Sequence, residues 1–123
     1  ASNFMIYASV EDYDEIPSIT FSSSVTDGNV NDLIKSGTGT AQVEINQGST
    51  GVKEVAEVSF NNLSAGQIIG FGGLVFTAGT NGATASQIAE AFASRANGFS
   101  ANTAVPGGQL SGTLADWSTG ARQ

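Results

Sequence analysis

The segment of residues 67–78 constrains the fold of this chain more than any other stretch. It places two short apolar runs, QIIGF and LVFTA, on either side of the pair Gly72-Gly73. Adjacent glycines accept the backbone angles of a two-residue hairpin turn, and the flanking runs have the composition of strands. We therefore predict a β-hairpin with contacts between the two runs. The residues expected to pair across the turn are Ile69 and Phe71 with Leu74 and Phe76.

The residues after this hairpin predict one amphipathic helix over about residues 84–97. Thr84 and Gln87 have the spacing of a capping box, in which each side chain satisfies the backbone amide of the other residue. Apolar residues then recur at helical spacing, so one face is expected to pack on the rest of the protein. The members of that face are Ile88, Ala89, Ala91, Phe92 and Ala96. The helix is predicted to end at Asn97, with Gly98 as a left-handed C-cap.

Alternating apolar and polar residues predict β-strands before and after this unit. The expected strands cover residues 3–10, 18–25, 41–45, 52–60 and 110–118, and residues 100–109 are expected to form a loop with a Pro-Gly-Gly turn. Trp117, near the end of the last strand, is interpreted as a packing anchor. The predicted fold class is mainly β (α+β), a small antiparallel β-sandwich or β-sheet domain with the helix packed on it.

The composition changes at the loop of residues 46–51, from an acidic, Ser-rich segment to a Gly- and Ala-rich one. We interpret residues 1–50 as an N-terminal β segment and residues 51–123 as a β-hairpin/helix unit. A chain of 123 residues has room for one domain, so both parts are expected to share one continuous core.

The charge of the chain argues against several classes of partner. Its 11 acidic and 4 basic residues give a formal net charge of −7. Nucleic acids and anionic membranes attract clustered positive charge, but the basic residues are scattered. They are Lys35, Lys53, Arg95 and Arg122. No apolar run approaches the roughly 20 residues of a membrane span, so we expect neither a nucleic-acid partner nor membrane insertion. The first residues show no secretory signal, which we interpret as absent or already removed.

The chain contains no histidine and no cysteine. Imidazole bases, thiol nucleophiles, thiolate metal sites and disulfides are therefore excluded, and we expect a non-enzymatic protein without a cofactor. The 11 acidic residues leave a glycosidase-like pair of carboxylates open, although no pair is distinguished by its spacing.

The glycines of residues 66–82 are dense enough to suggest a nucleotide-binding loop, but the surrounding pattern argues against one. Residues 70–75 lie within the predicted hairpin, and no Lys follows the glycines as a phosphate-binding loop requires. The loop of residues 79–85 offers amides at a helix start, which attract anions, yet it has no cation nearby. We interpret the glycines as turn formers and Thr84 as the group that satisfies those amides.

Two acidic segments contain the residue types that Ca²⁺ prefers as ligands. EDYDE contains Asp12 and Asp14, and DGNVND contains Asp27 and Asp32. The first segment is interpreted as a solvated loop, because an extended chain points neighbouring carboxylates to opposite faces. The second is interpreted as a turn, because the EF-hand glycine and the final carboxylate are both missing. A calcium site formed by these four aspartates is the alternative.

Three segments carry a resemblance to known proteins. They are VSFNNLSAGQ, GGLVFTAGTNGATASQIAEAFAS and LSGTLADWSTGA. Together they cover about residues 55–120 and resemble a strand-hairpin-helix repeat unit of large secreted bacterial surface proteins and of phage virion structural proteins. The resemblance implies a strand, a turn, a hairpin, a capped helix and a strand that ends in Trp117.

The same resemblance implies a structural role. We expect a phage virion component, a head-decoration (cement) or tail protein, which assembles with copies of itself or with other shell proteins. The first alternative is an extracellular adhesin, surface-layer or fibre repeat domain at the bacterial surface, with or without calcium. The second alternative is a small carbohydrate-binding module, in which Trp117 and Tyr13 form a sugar-stacking face.

Overall fold

The structure is a computed structural model that describes residues 17–26, 33, 35–46 and 53–122. Within those residues the chain forms eight β-strands and one α-helix. In chain order they are β1 (Ser18–Thr26), β2 (Ala41–Asn46), β3 (Lys53–Phe60), β4 (Ile68–Phe71), β5 (Leu74–Ala78), α1 (Ala85–Phe92), β6 (Ser100–Val105), β7 (Gly108–Thr113) and β8 (Trp117–Thr119). The strand predicted at residues 3–10 lies outside the described residues.

The strands form two four-stranded antiparallel sheets. Sheet A has the order β2-β3-β1-β8, and sheet B has the order β4-β5-β7-β6. The predicted fold class, a mainly β, sandwich-like domain with one helix, is confirmed. Strands β1, β2 and β3 each lie within one residue of their predicted limits, because their alternation of apolar and polar residues is regular.

Four phenylalanine rings join the two sheets to the helix. Phe21 and Phe60 lie in sheet A, Phe71 lies in sheet B and Phe92 lies in α1. The ring centroids of Phe21 and Phe71, one from each sheet, are 5.4 Å apart. Phe92 stacks on Phe60 at 5.6 Å and meets Phe71 edge-on at 5.8 Å. All four rings are buried, so the contacts between the layers are stabilised mainly by removing this apolar area from water.

The predicted hairpin is present as β4-β5. Ile69 pairs with Phe76, and Phe71 pairs with Leu74. Both turn residues have positive φ, +62° at Gly72 and +96° at Gly73. Such a turn matches the right-handed twist of the strands that it connects, and only glycine adopts both conformations without strain.

The helix begins where the sequence predicts. The Thr84 hydroxyl accepts the backbone N–H of Gln87 at 3.1 Å, and the Gln87 side-chain oxygen accepts the backbone N–H of Thr84 at 3.0 Å. Ile88 and Phe92 are buried against the sheets. The predicted end is wrong, because the helix stops at Phe92 instead of residue 97 and Ala93 is its extended C-cap.

Hydrogen bonds to the segment of β8 end the helix early. The Ser94 N–H donates to the Gly120 carbonyl at 2.9 Å, and the Arg95 N–H donates to the Thr119 hydroxyl at 2.7 Å. Neither amide is then available to a helical carbonyl, so the helix does not continue. The prediction of Gly98 as the C-cap is also wrong, since its φ of +90° belongs to a separate turn. Ala96 lies beyond the helix and is exposed.

The predictions for residues 100–118 are wrong in part. The segment expected to be a loop contains β6, which pairs with β7 through a two-residue turn at Pro106-Gly107. The segment expected to be one strand is divided between β7 in sheet B and β8 in sheet A. The chain changes sheets at Asp116, where φ is +69° and the N–H donates to Asn97 Oδ1 at 2.8 Å. Trp117 follows and is buried in the core.

Candidate interaction surface

Sheet B carries no charged residue, although the protein has a net charge of −7. Residues 58–89 and 96–115 contain no Asp, Glu, Lys or Arg, and all four strands of sheet B lie within those two segments. Every charged residue of the chain lies outside them. Because about a quarter of the residues in an ordinary soluble domain are charged, a whole neutral sheet is a distinctive surface.

The outer face of sheet B consists of uncharged side chains that are mostly small, with the exposed Ile68 on strand β4 as the largest apolar exception. Strand alternation puts Phe76 and Leu110 in the core and their neighbours on the opposite face. Those neighbours include Val75, Thr77, Ser100, Asn102, Ala104, Gln109, Ser111 and Thr113. Gln109 Nε2 donates to Asn102 Oδ1 at 3.2 Å, which fixes part of this face. Short side chains that are already held in place lose little conformational entropy when a partner covers them.

One edge of sheet B, strand β4, is closed by the loop of residues 35–40. Ser36 and Gly70 exchange two backbone hydrogen bonds, of 2.9 and 2.8 Å. The Gly39 N–H donates to the Ile68 carbonyl at 2.7 Å, and the Ile68 N–H donates to the Thr38 hydroxyl at 3.2 Å. The outward backbone groups of β4 are therefore occupied, and another strand would have to displace this loop to add there.

The opposite edge, strand β6, is open in the part of the chain that the structure describes, where β7 is its one strand partner. The two-residue turn makes Val105 and Gly108 a hydrogen-bonded pair, and such pairs alternate along an antiparallel ladder. Every second residue of β6 therefore directs its N–H and C=O away from β7. Those residues are Ser100, Asn102 and Ala104. The Thr103 hydroxyl reaches the Ala104 carbonyl only at 3.4 Å, which is a weak contact.

Strand β6 lacks the features that protect exposed sheet edges in other proteins. Its sequence, SANTAV, contains no charged residue and no proline, and its pairing with β7 runs without a bulge. Charges, prolines and bulges are the usual means of preventing a further strand from adding to an edge. The open backbone of β6 is therefore a template for strand addition.

Sheet A is less suited to strand addition. Its β8 edge is covered by the segment after the helix, where the Thr119 N–H donates to the Arg95 carbonyl at 2.8 Å. On its β2 edge, Glu44 lies directly opposite Glu57 of β3, and both side chains are exposed. A strand that added to β2 would meet this pair of like charges. Among the edges within the described ranges, β6 is the one that combines open backbone with the absence of charge.

The loop before the helix, residues 79–85, does not offer a free set of amides to an anion. The Thr84 amide is bonded within the capping box. The Ala85 N–H donates to Asn62 Oδ1 at 2.8 Å, and the Ala83 N–H donates to the Leu63 carbonyl at 2.9 Å. A surface cleft of about 520 Å³ lies beside this loop, and all its lining residues are uncharged. The local geometry agrees with a turn and a helix cap, and provides no cation to hold a phosphate.

The other candidate ligands of the sequence do not form a site in the described structure. Asp12, Asp14, Asp27 and Asp32 lie outside the described residues, as does Tyr13. Within the described ranges, no group of three or more Asp, Glu, His or Cys residues is placed to hold a metal ion. Trp117 is 1% exposed, so its ring does not form a platform on which a sugar stacks.

Sequence reasoning missed β6, and with it the open edge. The signal that identifies this strand is the distribution of charge. Residues 96–115 contain no charged residue and end in a strand-like segment after the Pro-Gly-Gly turn. That composition is typical of a hairpin packed against protein, whereas a solvated loop usually contains charged side chains.

No family model, no curated protein sequence and no solved structure matches this chain. Over the described ranges, no helix has the length and apolar character needed to cross a bilayer.

Proposed function

We propose that this protein is a non-enzymatic structural component that assembles with copies of itself or with other shell proteins through sheet B. The observation that carries the proposal is the β6 edge, which is open over the described residues and uncharged. The main-chain hydrogen bonds of an added strand provide affinity, and the small side chains of the outer face add a flat surface that a neighbour covers at low entropic cost.

The proposed location is a phage virion, as a head-decoration or tail protein. The resemblance of residues 55–120 to repeat units of virion and bacterial surface proteins supports this location. A bacterial surface layer, fibre or adhesin needs the same kind of contact between neighbouring subunits, so it is the alternative location of the same function. The burial of Trp117 gives no support to the carbohydrate-binding alternative.

Light scattering coupled to size exclusion tests the assembly function. The measured mass is expected to rise above that of a 12.4 kDa monomer as the protein concentration is raised. Immunogold electron microscopy of virions and of cells from a producing culture then separates the two locations. A protein that keeps the monomer mass at every concentration and salt condition, and that labels neither particles nor cell surfaces, contradicts the proposal.

A calcium titration tests the calcium-dependent form of the alternative. Any ion that binds only the folded state raises the melting temperature by mass action. An unchanged melting temperature in millimolar-range Ca²⁺ would remove calcium from the surface-protein alternative, while leaving assembly through sheet B unaffected.

A further inference from the structure

We infer that a second copy of this chain pairs with strand β6, antiparallel and edge to edge, so that two copies of sheet B form one continuous sheet. The inference rests on the proposed function and identifies the partner and the surface through which the first contact forms. The strand order across the joined sheet is β4-β5-β7-β6-β6-β7-β5-β4, with a twofold axis between the two β6 strands.

Backbone geometry selects one register for this pairing. In an antiparallel pair, residues directly opposite each other either both direct their N–H and C=O groups at the partner strand or both direct them away. A twofold pairing centred on Asn102 places all three outward residues of β6 opposite outward residues, with Ser100 opposite Ala104 of the second copy. This register makes roughly six backbone hydrogen bonds, two at each of three pairs. Centring the pairing on Ala101 or Thr103 makes roughly four, because one outward residue of each copy then lies beyond the end of the opposite strand.

The side chains of β6 are self-complementary in the Asn102 register. Asn102 faces Asn102 of the second copy, and its amide has both donors and an acceptor for such a pair. The remaining pairs join Ser100 to Ala104 and Ala101 to Thr103, which are all small. Small side chains lose little conformational entropy when the two strands pair.

The distribution of charge permits a second copy as the partner, and it favours β6 over β2 as the edge that this copy uses. Two chains of net charge −7 repel each other, so contact is favoured where neither copy carries charge. Residues 96–115 satisfy that condition on both sides of the twofold axis. The same operation at the β2 edge would place Glu44 of one copy close to Glu44 of the other.

Opposite charges at position 102 test the pairing directly. Asn102→Asp and Asn102→Lys each place like charges across the twofold axis, whereas an equimolar mixture of the two variants places opposite charges there. By analytical ultracentrifugation, the unaltered full chain is expected to form a concentration-dependent dimer. Each variant alone is expected to raise the dimer dissociation constant at least about tenfold, because like charges that meet in an interface cost several kcal/mol, and the mixture is expected to restore a heterodimer. The restored heterodimer also shows that both variants are folded.

Ser111→Asp and Ser111→Lys are matched controls on the same face. Ser111 pairs with Asn102 from strand β7, one strand further from the axis. In the dimer the two Ser111 positions are three strand spacings apart, roughly 14 Å, which exceeds the Debye length at physiological ionic strength. The dimer dissociation constants of the two Ser111 variants are expected to stay within about threefold of that of the unaltered chain. A loss of dimer affinity as large as that at position 102 would indicate that the outer faces of two sheets B stack on each other. That result would overturn edge pairing.

Hydrogen exchange distinguishes a second copy from other occupants of the edge. The Asn102 N–H points away from β7, so it is expected to be protected at high protein concentration and to exchange freely at low concentration. Protection that does not depend on concentration would mean that another segment of the same chain covers β6. That result would overturn the inference.

The failure of this inference is distinguishable from the failure of the proposed function. If the unaltered chain and both position-102 variants associate equally well, assembly uses a surface other than the β6 edge. That result overturns β6 pairing, while assembly as the function of the protein stands. If the chain is monomeric alone but is found in particles by immunogold labelling, the same conclusion follows. If it is monomeric and labels nothing, both are overturned.

Discussion

At the scale of single residues, the hairpin turn depends on glycine for two separate reasons. Gly73 has a φ of +96°, and a Cβ at this position would press against the carbonyl oxygen of Thr113. Gly66 has a similar φ of +77°, but a Cβ there would enter open space. Substitution of Gly66 therefore tests backbone strain alone, whereas substitution of Gly73 tests backbone strain together with a steric clash.

We predict that Gly73→Ala lowers the free energy of unfolding by roughly 3 kcal/mol, because it combines left-handed strain with a clash against backbone. The control Gly66→Ala is expected to lower it by only about 1 kcal/mol, from strain alone. Chemical denaturation followed by circular dichroism measures both. Equal losses at the two positions would mean that the Thr113 contact is not tight in the folded protein.

At the scale of elements, what the sequence predicts well is local, and what it misses depends on distant partners. The turn at Gly72-Gly73 and the capping box are encoded by residues within four positions of each other, so spacing alone identifies them. The end of the helix is set by Thr119 and Gly120, which accept hydrogen bonds from the backbone amides of Arg95 and Ser94. Strand β6 has few strand-forming residues, and its conformation is fixed by pairing with β7.

The candidate surface was missed for the same reason. Its neutral face is visible in the sequence as two uncharged segments, 58–89 and 96–115, but the sequence does not show that they form one sheet. The two segments belong to one sheet because β5 pairs with β7. In that pairing Leu74 lies opposite Gly112, which is far from it in the chain. Similarly, the division of residues 110–118 between two sheets depends on a turn held by Asn97.

Phe92 joins the helix to both sheets, and this gives an element-scale prediction. Phe92→Ala is expected to lower the free energy of unfolding by about 4 kcal/mol, because its ring contacts phenylalanines of both sheets and leaves a cavity when removed. Phe99→Ala is the matched control, since Phe99 is half-buried and lies beneath the Arg95 guanidinium at 4.4 Å. Urea denaturation is expected to show that Phe99→Ala lowers the free energy of unfolding by less than half as much as Phe92→Ala. Similar losses would indicate that the four-ring cluster does not dominate the attachment of the helix.

At the scale of the whole molecule, charge and contact surface are separated, and the salt dependence of association should reveal this. Two copies of net charge −7 repel at long range, while the proposed contact at β6 contains no ion pair that salt could weaken. Raising NaCl from about 20 mM to about 500 mM is therefore expected to tighten the dimer several-fold, because it screens only the repulsion. Sedimentation equilibrium at several salt concentrations measures this change. Weaker association at high salt would mean that opposite charges meet in the interface, which places the contact outside sheet B.

Trp117 is the single tryptophan of the chain, and its place in the core has a practical consequence. Its indole lies in β8 of sheet A, whereas the proposed contact lies on the far strand of sheet B. Emission from that one fluorophore should shift to longer wavelength when water reaches the interior, and stay constant while subunits join or separate. An optical signal from the native protein, without any label, can thus follow unfolding independently of subunit association.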